Sequence, residues 1–140
     1  PPDHSSGPDY VAVPRPRPTP LPHAAAIDEA LRYWGRPYDF NFDFATDDEV
    51  VCSELVLKAY QPTEGQGRGL DIPYVEVAGR RAVPPTEFAR VFANELGRPH
   101  ARLEFVHFLQ GREKERRAVV SDEKALAATV TRPKWDIAQP

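Results

Sequence analysis

Apolar and polar residues alternate along this chain in a way that predicts two helices joined by an extended segment. A helical spacing of apolar residues runs from His23 to Trp34, and a second runs from about Asp47 to Tyr60. Residues 38–44, YDFNFDF, alternate strictly between aromatic and polar side chains, which predicts an extended segment with one buried aromatic face. Gly35 stands where the first helix should stop. That helix is predicted to bury one side, formed by Ala24, Ile27, Leu31 and Trp34.

The second half of the chain predicts a hairpin, a third helix, a strand and a short fourth helix. The hairpin turns at Gly79, and the third helix begins near Pro85 and stops at Gly97. Residues 101–111 alternate as a strand, and Ser121 is the expected N-cap of the fourth helix. The alternation places four residues on one face of the strand: Leu103, Phe105, His107 and Leu109. Helices mixed with antiparallel strands predict the α+β class.

Proline is concentrated at the start of the chain, within residues 1–22. A short strand, YVAV, is expected there, followed by alternating prolines that favour an extended polyproline conformation. This stretch predicts a stiff connector or, alternatively, a ligand for a partner's aromatic groove. We therefore divide the chain into a proline-rich segment, residues 1–22, and a single domain, residues 23–140, expected to be the C-terminal part of a longer protein. Residues 61–74 are rich in glycine and predict a flap-like loop.

Length and charge exclude several classes of function. The chain has 140 residues, the size of one domain, and a net charge of −3. Its longest basic cluster, GREKERRAVV, is interleaved with Glu113 and Glu115, which predicts a solvated hairpin or loop and argues against nucleic-acid binding. No apolar run approaches the roughly 20 residues needed to cross a bilayer, so we expect a soluble protein without a transmembrane segment.

Metal ions and cofactors are not expected. Asp39, Asn41 and Asp43 have the spacing of the first three ligands of a calcium loop, but Phe44 and Val50 occupy the positions that require Gly and Glu. One cysteine and four scattered histidines give no zinc cluster.

Cys52 is the only cysteine, and the pattern leaves its role open. In the predicted second helix it shares an apolar stripe with Leu55 and Val56, which indicates a buried structural thiol. A nucleophile would instead need thiolate character and a histidine partner. A capping box of Thr46 and Glu49 would place Cys52 in the second turn, where the helix dipole has faded, whereas a later cap would bring it closer to the positive end.

Two linked motifs in this region resemble a known family. The segments GRPYDFNFD and VVCSELVLKAY, preceded by a helix, resemble the signature of the permuted papain-like cysteine hydrolases, the YiiX-like branch of the NlpC-type superfamily. The resemblance implies a papain-like α+β fold, circularly permuted, with an antiparallel sheet packed on the cysteine helix. It also implies a bacterial protein of the cytoplasm or cell envelope.

The resemblance further implies acyl transfer. Cys52 matches the nucleophile, and Tyr38 matches a tyrosine that lines the active-site cleft. Asp39, Ser53 and Glu54 match motif residues with supporting, substrate-binding roles. The implied substrates are amides or esters, such as peptidoglycan-type peptides or lipid esters, which a Cys52 thiolate attacks to form an acyl-enzyme. The alternative is a catalytically inactive papain-like domain that binds a partner.

The sequence departs from this family in its histidines. Permuted members place the catalytic histidine in a strand well before the cysteine, and neither His4 nor His23 has that context. Three explanations stay open. An N-terminal segment or a separate chain supplies the histidine; or the order is unpermuted, with His107 as the base; or catalysis is lost. A histidine with the apolar neighbours of His107 is also commonly a packed strand residue.

Overall fold

The computed structural model describes residues 10–17, 23–61, 69–112 and 115–131, which form an α+β fold. Its elements are, in chain order, β1 (Tyr10–Pro16), α1 (His23–Leu31), α2 (Cys52–Ala59), β2 (Val75–Val77), β3 (Arg80–Ala82), α3 (Pro85–Glu95), β4 (Leu103–Arg112), β5 (Arg117–Ser121) and α4 (Glu123–Ala128). A turn of 3-10 helix, Thr129–Thr131, follows α4. Residues 62–68 of the expected flap and 18–22 of the polyproline stretch lie outside the described residues.

An antiparallel sheet in the order β1-β4-β5 forms the centre of the described part of the chain. β1 and β5 pair with the two sides of β4, and the register sets Val13 against His107. β1 continues through Pro14 and Pro16, beyond its expected end. An edge strand tolerates proline because its outer side needs no ladder hydrogen bonds. The pairing adds part of the proline-rich segment to the sheet.

A bulge in β4 changes the predicted faces of this strand. The register shifts midway along β1, so that Val106 has no partner in β1. Phe105 and Phe108 therefore both pack on the main core. Adjacent strand residues point to opposite faces, so His107 lies on the face opposite to Phe108. The prediction that Phe105 and His107 share a face is wrong because a single-residue bulge cannot be read from the alternation.

The main core lies between the sheet and helices α2, α3 and α4. Its buried members are Leu57, Leu70, Ile72, Val83, Val91, Phe92, Leu103, Phe108 and Leu126. Phe108 of β4 has no exposed surface, and Leu57 of α2 belongs to the same cluster. The sheet and the helix that carries the cysteine therefore share one core.

Helix α1 contacts α2 through small residues. Ala26 of α1 packs on Ala59 of α2. His23 Nδ1, at the start of α1, lies 3.2 Å from the hydroxyl of Tyr60, directly after α2. The prediction of a buried side on α1 is wrong, because every residue assigned to that side is exposed: Ala24, Ile27, Leu31 and Trp34. The close approach of two helices through alanine, and not the size of the apolar side chains, decides which side faces inward.

The predicted hairpin and third helix are confirmed. β2 and β3 pair across a turn at Ala78 and Gly79, which both have positive φ, 51° and 80°. Positive φ at both central residues is the requirement of a tight type I′ turn. α3 begins at Pro85, and Gly97 follows it at a φ of 78°, where glycine relieves the strain of the left-handed conformation.

The C-terminal part of the described chain refines two predictions. Asp122, not Ser121, caps α4, since its carboxylate accepts the Ala125 N–H at 2.8 Å. Ser121 instead ends β5. The basic cluster predicted as a hairpin or loop lies at the end of β4 and in β5, which pair with each other, and residues 113–114 of it lie outside the described residues. Three of the five residues of β5 are exposed.

Candidate active site

Cys52 is the first residue of α2, and its side chain is exposed. Val51, with extended backbone angles of φ −92° and ψ 159°, is the N-cap. The predicted helix start near Asp47 is therefore too early, and the interpretation of Cys52 as a buried structural thiol is wrong. The dipole of α2 is positive at this end and favours a negatively charged group, such as a thiolate.

The carboxylate of Glu54 holds the start of α2. Glu54 is only 1% exposed, and its Oε2 accepts a hydrogen bond from the Val51 N–H at 3.2 Å. This is the bond that the third helical residue makes in a capping box, although Val51 has no side-chain acceptor to complete the box. The predicted box of Thr46 and Glu49 is replaced by this bond, which starts the helix directly at the cysteine.

Glu54 also belongs to an ion-pair network that extends from the interior to the exposed Asp47. Its Oε1 lies 3.3 Å from Lys58 Nζ but makes no hydrogen bond within the described residues. Lys58 hydrogen-bonds Asp47 in the preceding loop. Burial raises the pKa of Glu54 above its ordinary value, and the Val51 N–H and Lys58 offset this only in part. Burial opposes the charge of Lys58, yet the bond to Asp47 and the attraction of Glu54 raise its pKa, so the ammonium group stays charged.

A short stretch of paired backbone places Tyr38 beside the start of α2. Tyr38 and Val50 form a parallel bridge. The Asp39 N–H donates to the Val50 carbonyl at 3.4 Å, and the Val50 N–H donates to the Pro37 carbonyl at 3.1 Å. Since Cys52 follows Val50 by two residues, the structure brings Tyr38 and Cys52 into the same region.

Asp39 organises residues 38–44 as a loop in place of the predicted extended segment. Asp39 is 3% exposed, and its carboxylate accepts the Asn41 N–H at 2.7 Å and the Asp43 N–H. Phe42 has a φ of 54°, which is uncommon for a bulky residue. With the polar Asp39 inside, the rings turn outward. The prediction of a buried aromatic face is wrong for three of its residues: Tyr38, Phe40 and Phe42.

These outward rings, Tyr38, Phe40 and Phe42, form what we call the aromatic cluster. The ring centroids of Tyr38 and Phe40 lie 5.0 Å apart, and those of Tyr38 and Phe42 lie 6.5 Å apart, both edge to face. Such contacts hold aromatic rings in preferred arrangements. Near a nucleophile, an exposed apolar surface of this kind can contact the apolar part of a substrate.

The described histidines differ in their position relative to Cys52. His23 contacts Tyr60, at the end of α2 opposite to Cys52, about 12 Å away along the helix axis. His107 lies on the face of β4 opposite to Phe108, and Phe108 packs in the core that α2 shares. Within the described residues no hydrogen bond links His107 to Cys52, and its role as the base stays a prediction.

Two open grooves flank the loop of residues 38–44, and Cys52 lines neither of them. One has a volume of about 580 Å³ and is lined by aromatic rings and arginines. The other, of about 460 Å³, is lined mainly by acidic residues: Asp39, Asp43, Asp48 and Glu49. Among the described residues, His, Cys, Asp and Glu side chains form no group of three or more that could hold a metal ion.

The pairing of Glu54 with Lys58 is predicted from the sequence, whereas the contacts of Asp47 and Arg80 in this region were missed. Lys58 and Asp47 join α2 to the preceding loop. Arg80 Nη1, from the hairpin, donates to the Asn41 carbonyl at 3.0 Å. The i,i+4 spacing of Glu54 and Lys58 is a visible signal for an ion pair. The long-range contacts of Asp47 and Arg80 have no signal in a single sequence.

None of the helices in the described ranges has the length and apolar character that crossing a bilayer requires.

Comparison with known proteins confirms the resemblance. Residues 9–123 match the family described as "Permuted papain-like amidase enzyme, YaeF/YiiX, C92 family". The chain is also similar to "Uncharacterized protein YiiX" of Escherichia coli (strain K12), with 50% identity over 40 residues, which are 29% of this chain and 19% of that relative. The chain thus covers well under two thirds of the relative's length, and no solved structure matches it significantly. Because the family match extends over most of the chain and includes Cys52, this protein belongs to the permuted papain-like amidase family.

Proposed function

We propose that this protein is a cysteine hydrolase that cleaves an amide or ester bond through a Cys52 thiolate and an acyl-enzyme. The observation that carries the proposal is the exposed Cys52 thiol at the start of α2, in a chain that belongs to a family of amidases. Peptide-type amides, including peptidoglycan-type peptides, are the preferred substrate class, and lipid esters are the second.

The reaction would proceed in two acyl transfers. The thiolate attacks the carbonyl carbon, a C–S bond forms, and the carbonyl π electrons move to oxygen. When the intermediate collapses, the C–N or C–O bond breaks, and the leaving group takes a proton from a histidine imidazolium. Water then gives a proton to the imidazole and attacks the thioester, which releases the acid and restores the thiolate.

The start of α2 can stabilise the oxyanion of both intermediates. The first N–H groups of a helix have no partner inside the helix. The N–H of Val51 is already used by Glu54, so the Cys52 N–H is the next donor beside the thiol. A backbone donor fixed in this way, together with the helix dipole, favours the negative charge that develops on oxygen.

Asp39, Ser53 and Glu54 are proposed as positioning residues. All three are buried, and two of them hold backbone groups next to the nucleophile or the aromatic cluster. Glu54 binds the N–H before Cys52, while Asp39 binds the loop that carries Tyr38. Tyr38 is proposed to contact the substrate, because its ring is exposed beside the start of α2.

The histidine that completes the site is either His107 or an imidazole from outside the described residues. His107 occupies the sheet face opposite to Phe108, whereas α2 contributes Leu57 to the core on the Phe108 side. This arrangement favours an imidazole from another segment or a separate chain. Variants of His107 are therefore part of the test.

Trapping the acyl-enzyme tests the proposal in the full-length natural protein. The protein is mixed with p-nitrophenyl acetate, nitrophenol release is followed by absorbance, and the protein is digested for mass spectrometry. We expect a burst of nitrophenol and an acetyl group on the peptide that contains Cys52. Cys52→Ala is expected to lower the rate by about 10⁴-fold or more and to abolish the acetylated peptide.

Histidine variants identify the base in the same assay. If His107 is the base, His107→Asn slows acylation by about 100-fold or more, while the matched His23→Asn leaves the rate unchanged. If both variants keep the wild-type rate, the base lies elsewhere. A thiol that reacts with iodoacetamide at neutral pH no faster than a free thiol, with no acyl-enzyme formed, would contradict the proposal and leave a non-catalytic binding domain.

A further inference from the structure

An open groove of about 580 Å³ lies between the end of the loop of residues 38–44 and the hairpin of β2 and β3. We call it the cationic groove and define it by Phe42, Phe44, Tyr74, Arg80 and Arg81. No residue in the predicted catalytic or substrate-binding set lines it.

The apolar part of the cationic groove is formed by aromatic rings that contact one another. Phe44 and Tyr74 meet edge to face with ring centroids 5.9 Å apart. Phe44 packs against the main core, so this wall rests on a fixed support. Tyr74 and Phe42 are both partly exposed and offer free ring surface to a ligand. Aromatic linings of this kind bind apolar groups.

Arg81 contributes an exposed positive charge to the groove. Its guanidinium lies 5.1 Å from the centroid of the Tyr74 ring, and stacking on an aromatic ring limits its motion while leaving its N–H groups free. Glu76 is its neighbour in the register of the hairpin, but within the described residues Arg81 forms no ion pair with Glu76 or any other carboxylate.

Arg80 contributes the second charge, and it also carries no ion pair in the described part of the chain. One of its N–H groups binds the Asn41 carbonyl at 3.0 Å, which orients the guanidinium toward the loop. Asp43 also lines the groove, but its Oδ1 accepts a backbone N–H of its own loop at 3.1 Å. Among the lining residues, two guanidinium groups outnumber a single carboxylate, which gives the groove a positive lining. Arg80 also lines the neighbouring acidic groove, so Arg81 supplies the charge that is not shared.

The cationic groove adjoins the candidate active site through the aromatic cluster. Phe42 belongs to both, and its ring lies 6.5 Å from that of Tyr38. Tyr38 bridges to Val50, two residues before Cys52. A substrate whose carbonyl group is at Cys52 can therefore extend along Tyr38 and reach the groove with a neighbouring group.

We infer that the cationic groove binds an apolar group that bears a carboxylate, such as the C-terminal residue of a peptide. The rings contact the apolar side chain, and the two guanidinium groups pair with the carboxylate, for which their planar geometry is suited. The claim that this ligand is a substrate rests on the proposed function. It specifies that function as the hydrolysis of amides that lie close to a free, apolar C-terminal residue.

Binding of small probes tests the inference without requiring catalysis. N-acetyl-phenylalanine is titrated into the ¹⁵N-labelled protein and compared with N-acetyl-phenylalaninamide, which lacks the charge, and with N-acetyl-alanine, which lacks the ring. We expect N-acetyl-phenylalanine to shift the backbone amide signals of Phe42, Phe44 and Arg81. The dissociation constants of the two other probes are expected to be about fivefold higher or more, because each lacks one of the two contacts.

Variants of Arg81 separate charge from shape. Arg81→Gln is expected to reduce the preference for N-acetyl-phenylalanine over its amide, and Arg81→Lys to keep more of it than Arg81→Gln but less than wild type, because lysine keeps the charge and loses the planar geometry. The matched control is Arg98→Gln, at an exposed arginine beyond α3 that does not line the groove. The signals of β2 and β3 in each spectrum report whether the hairpin is still folded.

Three outcomes would overturn the inference. They are equal binding of the acid and the amide, signal shifts confined to residues outside the groove, and no shift at about 10 mM probe, a concentration that saturates a millimolar site. Because the probes contain an amide bond, the titrations are made with Cys52→Ala, which cannot form an acyl-enzyme. The result then reports binding alone, and a failure here leaves the hydrolase proposal standing. If Cys52 forms no acyl-enzyme in the trapping assay, the binding result can still be interpreted.

Discussion

Helix α3 and the loop of residues 38–44 place their aromatic residues in opposite environments. In α3, Phe92 is 3% exposed and belongs to the main core. In the loop, Phe40 is 81% exposed, while the adjacent Asp39 is 3% exposed. Both segments contain regularly spaced aromatic residues, so the hydrophobic pattern alone cannot explain the difference.

The hydrogen bonding of the backbone explains it. In a helix the backbone N–H groups are paired along the helix, and side chains are free to sort by hydrophobicity. The loop has no such ladder, and the Asp39 carboxylate instead accepts the N–H groups of Asn41 and Asp43. A buried carboxylate is tolerated only when it is bonded in this way. Once Asp39 is inside, the neighbouring rings must face outward, beside the nucleophile.

The largest effect is expected for Phe92→Ala in α3. Removing a buried ring from the main core loses its transfer free energy and leaves a cavity, so the free energy of unfolding should fall by about 4 kcal/mol. Urea denaturation followed by circular dichroism measures this. A loss below about 1 kcal/mol is the typical effect of an arbitrary substitution. Such a result would mean that Phe92 of α3 is not packed in the main core, and the contrast with the loop would fail.

Glu54→Ala should come next, with a loss of about 3 kcal/mol, because it leaves the Val51 N–H and the buried side of Lys58 without their partner. Urea denaturation measures the loss, and the acyl-enzyme assay should show slower acylation even at temperatures where the variant is fully folded. Glu76→Ala, at an exposed glutamate of β2, is the matched control and should stay near wild type. Equal stability of the two variants would show that Glu54 does not hold the start of α2.

Asp39→Ala is expected to cost about 2 kcal/mol, since two backbone N–H groups lose their acceptor. The signals of the loop in a ¹⁵N spectrum should broaden or move, while those of α3 stay in place. Asp28→Ala, at an exposed aspartate of α1, is the control. If Asp39→Ala changes the α3 signals as much as the loop signals, the loop is not an independent unit and the contrast with α3 fails.

The sequence predicts those features that neighbouring residues decide. The hairpin turn at Gly79 and the end of α3 before Gly97 follow from positive φ, which only a few residue types accept easily. The assignment of Cys52 as nucleophile depended on the family motif, since the helical pattern alone indicated a buried thiol. That motif also pointed to Glu54, although not to the bond by which it sets the helix start.

Features set by contacts between distant segments could not be predicted. The bulge at Val106 depends on the register between β1 and β4. The inward side of α1 depends on the alanine contact with α2. The outward turn of Phe40 depends on Asp39 taking the interior position. Of these three departures, the outward turn of Phe40 lies near Cys52, as expected where a site sets requirements that compete with packing.

The start of α2 and the end of α3 should also respond differently to pH. Burial raises the pKa of Glu54 above the ordinary 4.5, so the folded state binds this proton more tightly, and stability falls as pH rises from 4.5 through the raised value. The hydrogen bond from Arg102 lowers the pKa of Glu95, at the end of α3. The stability that ionised Glu95 contributes is therefore present above pH 4.5 and is lost as the pH falls through the lowered pKa.

Unfolding measured as a function of pH for wild type, Glu54→Gln and Glu95→Gln checks these signs. The difference in free energy of unfolding between wild type and Glu95→Gln should grow in favour of wild type as pH rises. The corresponding difference between wild type and Glu54→Gln should shrink. Parallel curves for all three proteins would show that neither carboxylate has a shifted pKa.

The smallest effect on stability is expected for Phe40→Ala in the loop. The ring is largely exposed and contacts Tyr38 at a centroid distance of 5.0 Å, so its removal should change the free energy of unfolding by no more than about 0.5 kcal/mol. Because the ring belongs to the aromatic cluster beside Cys52, its effect should appear in the acyl-enzyme assay instead. Acylation by p-nitrophenyl hexanoate should slow relative to acylation by the acetate, whose acyl group is too short to contact the cluster. A stability loss as large as that of Phe92→Ala would place this ring in the core and remove the basis for treating the loop as a substrate-facing surface.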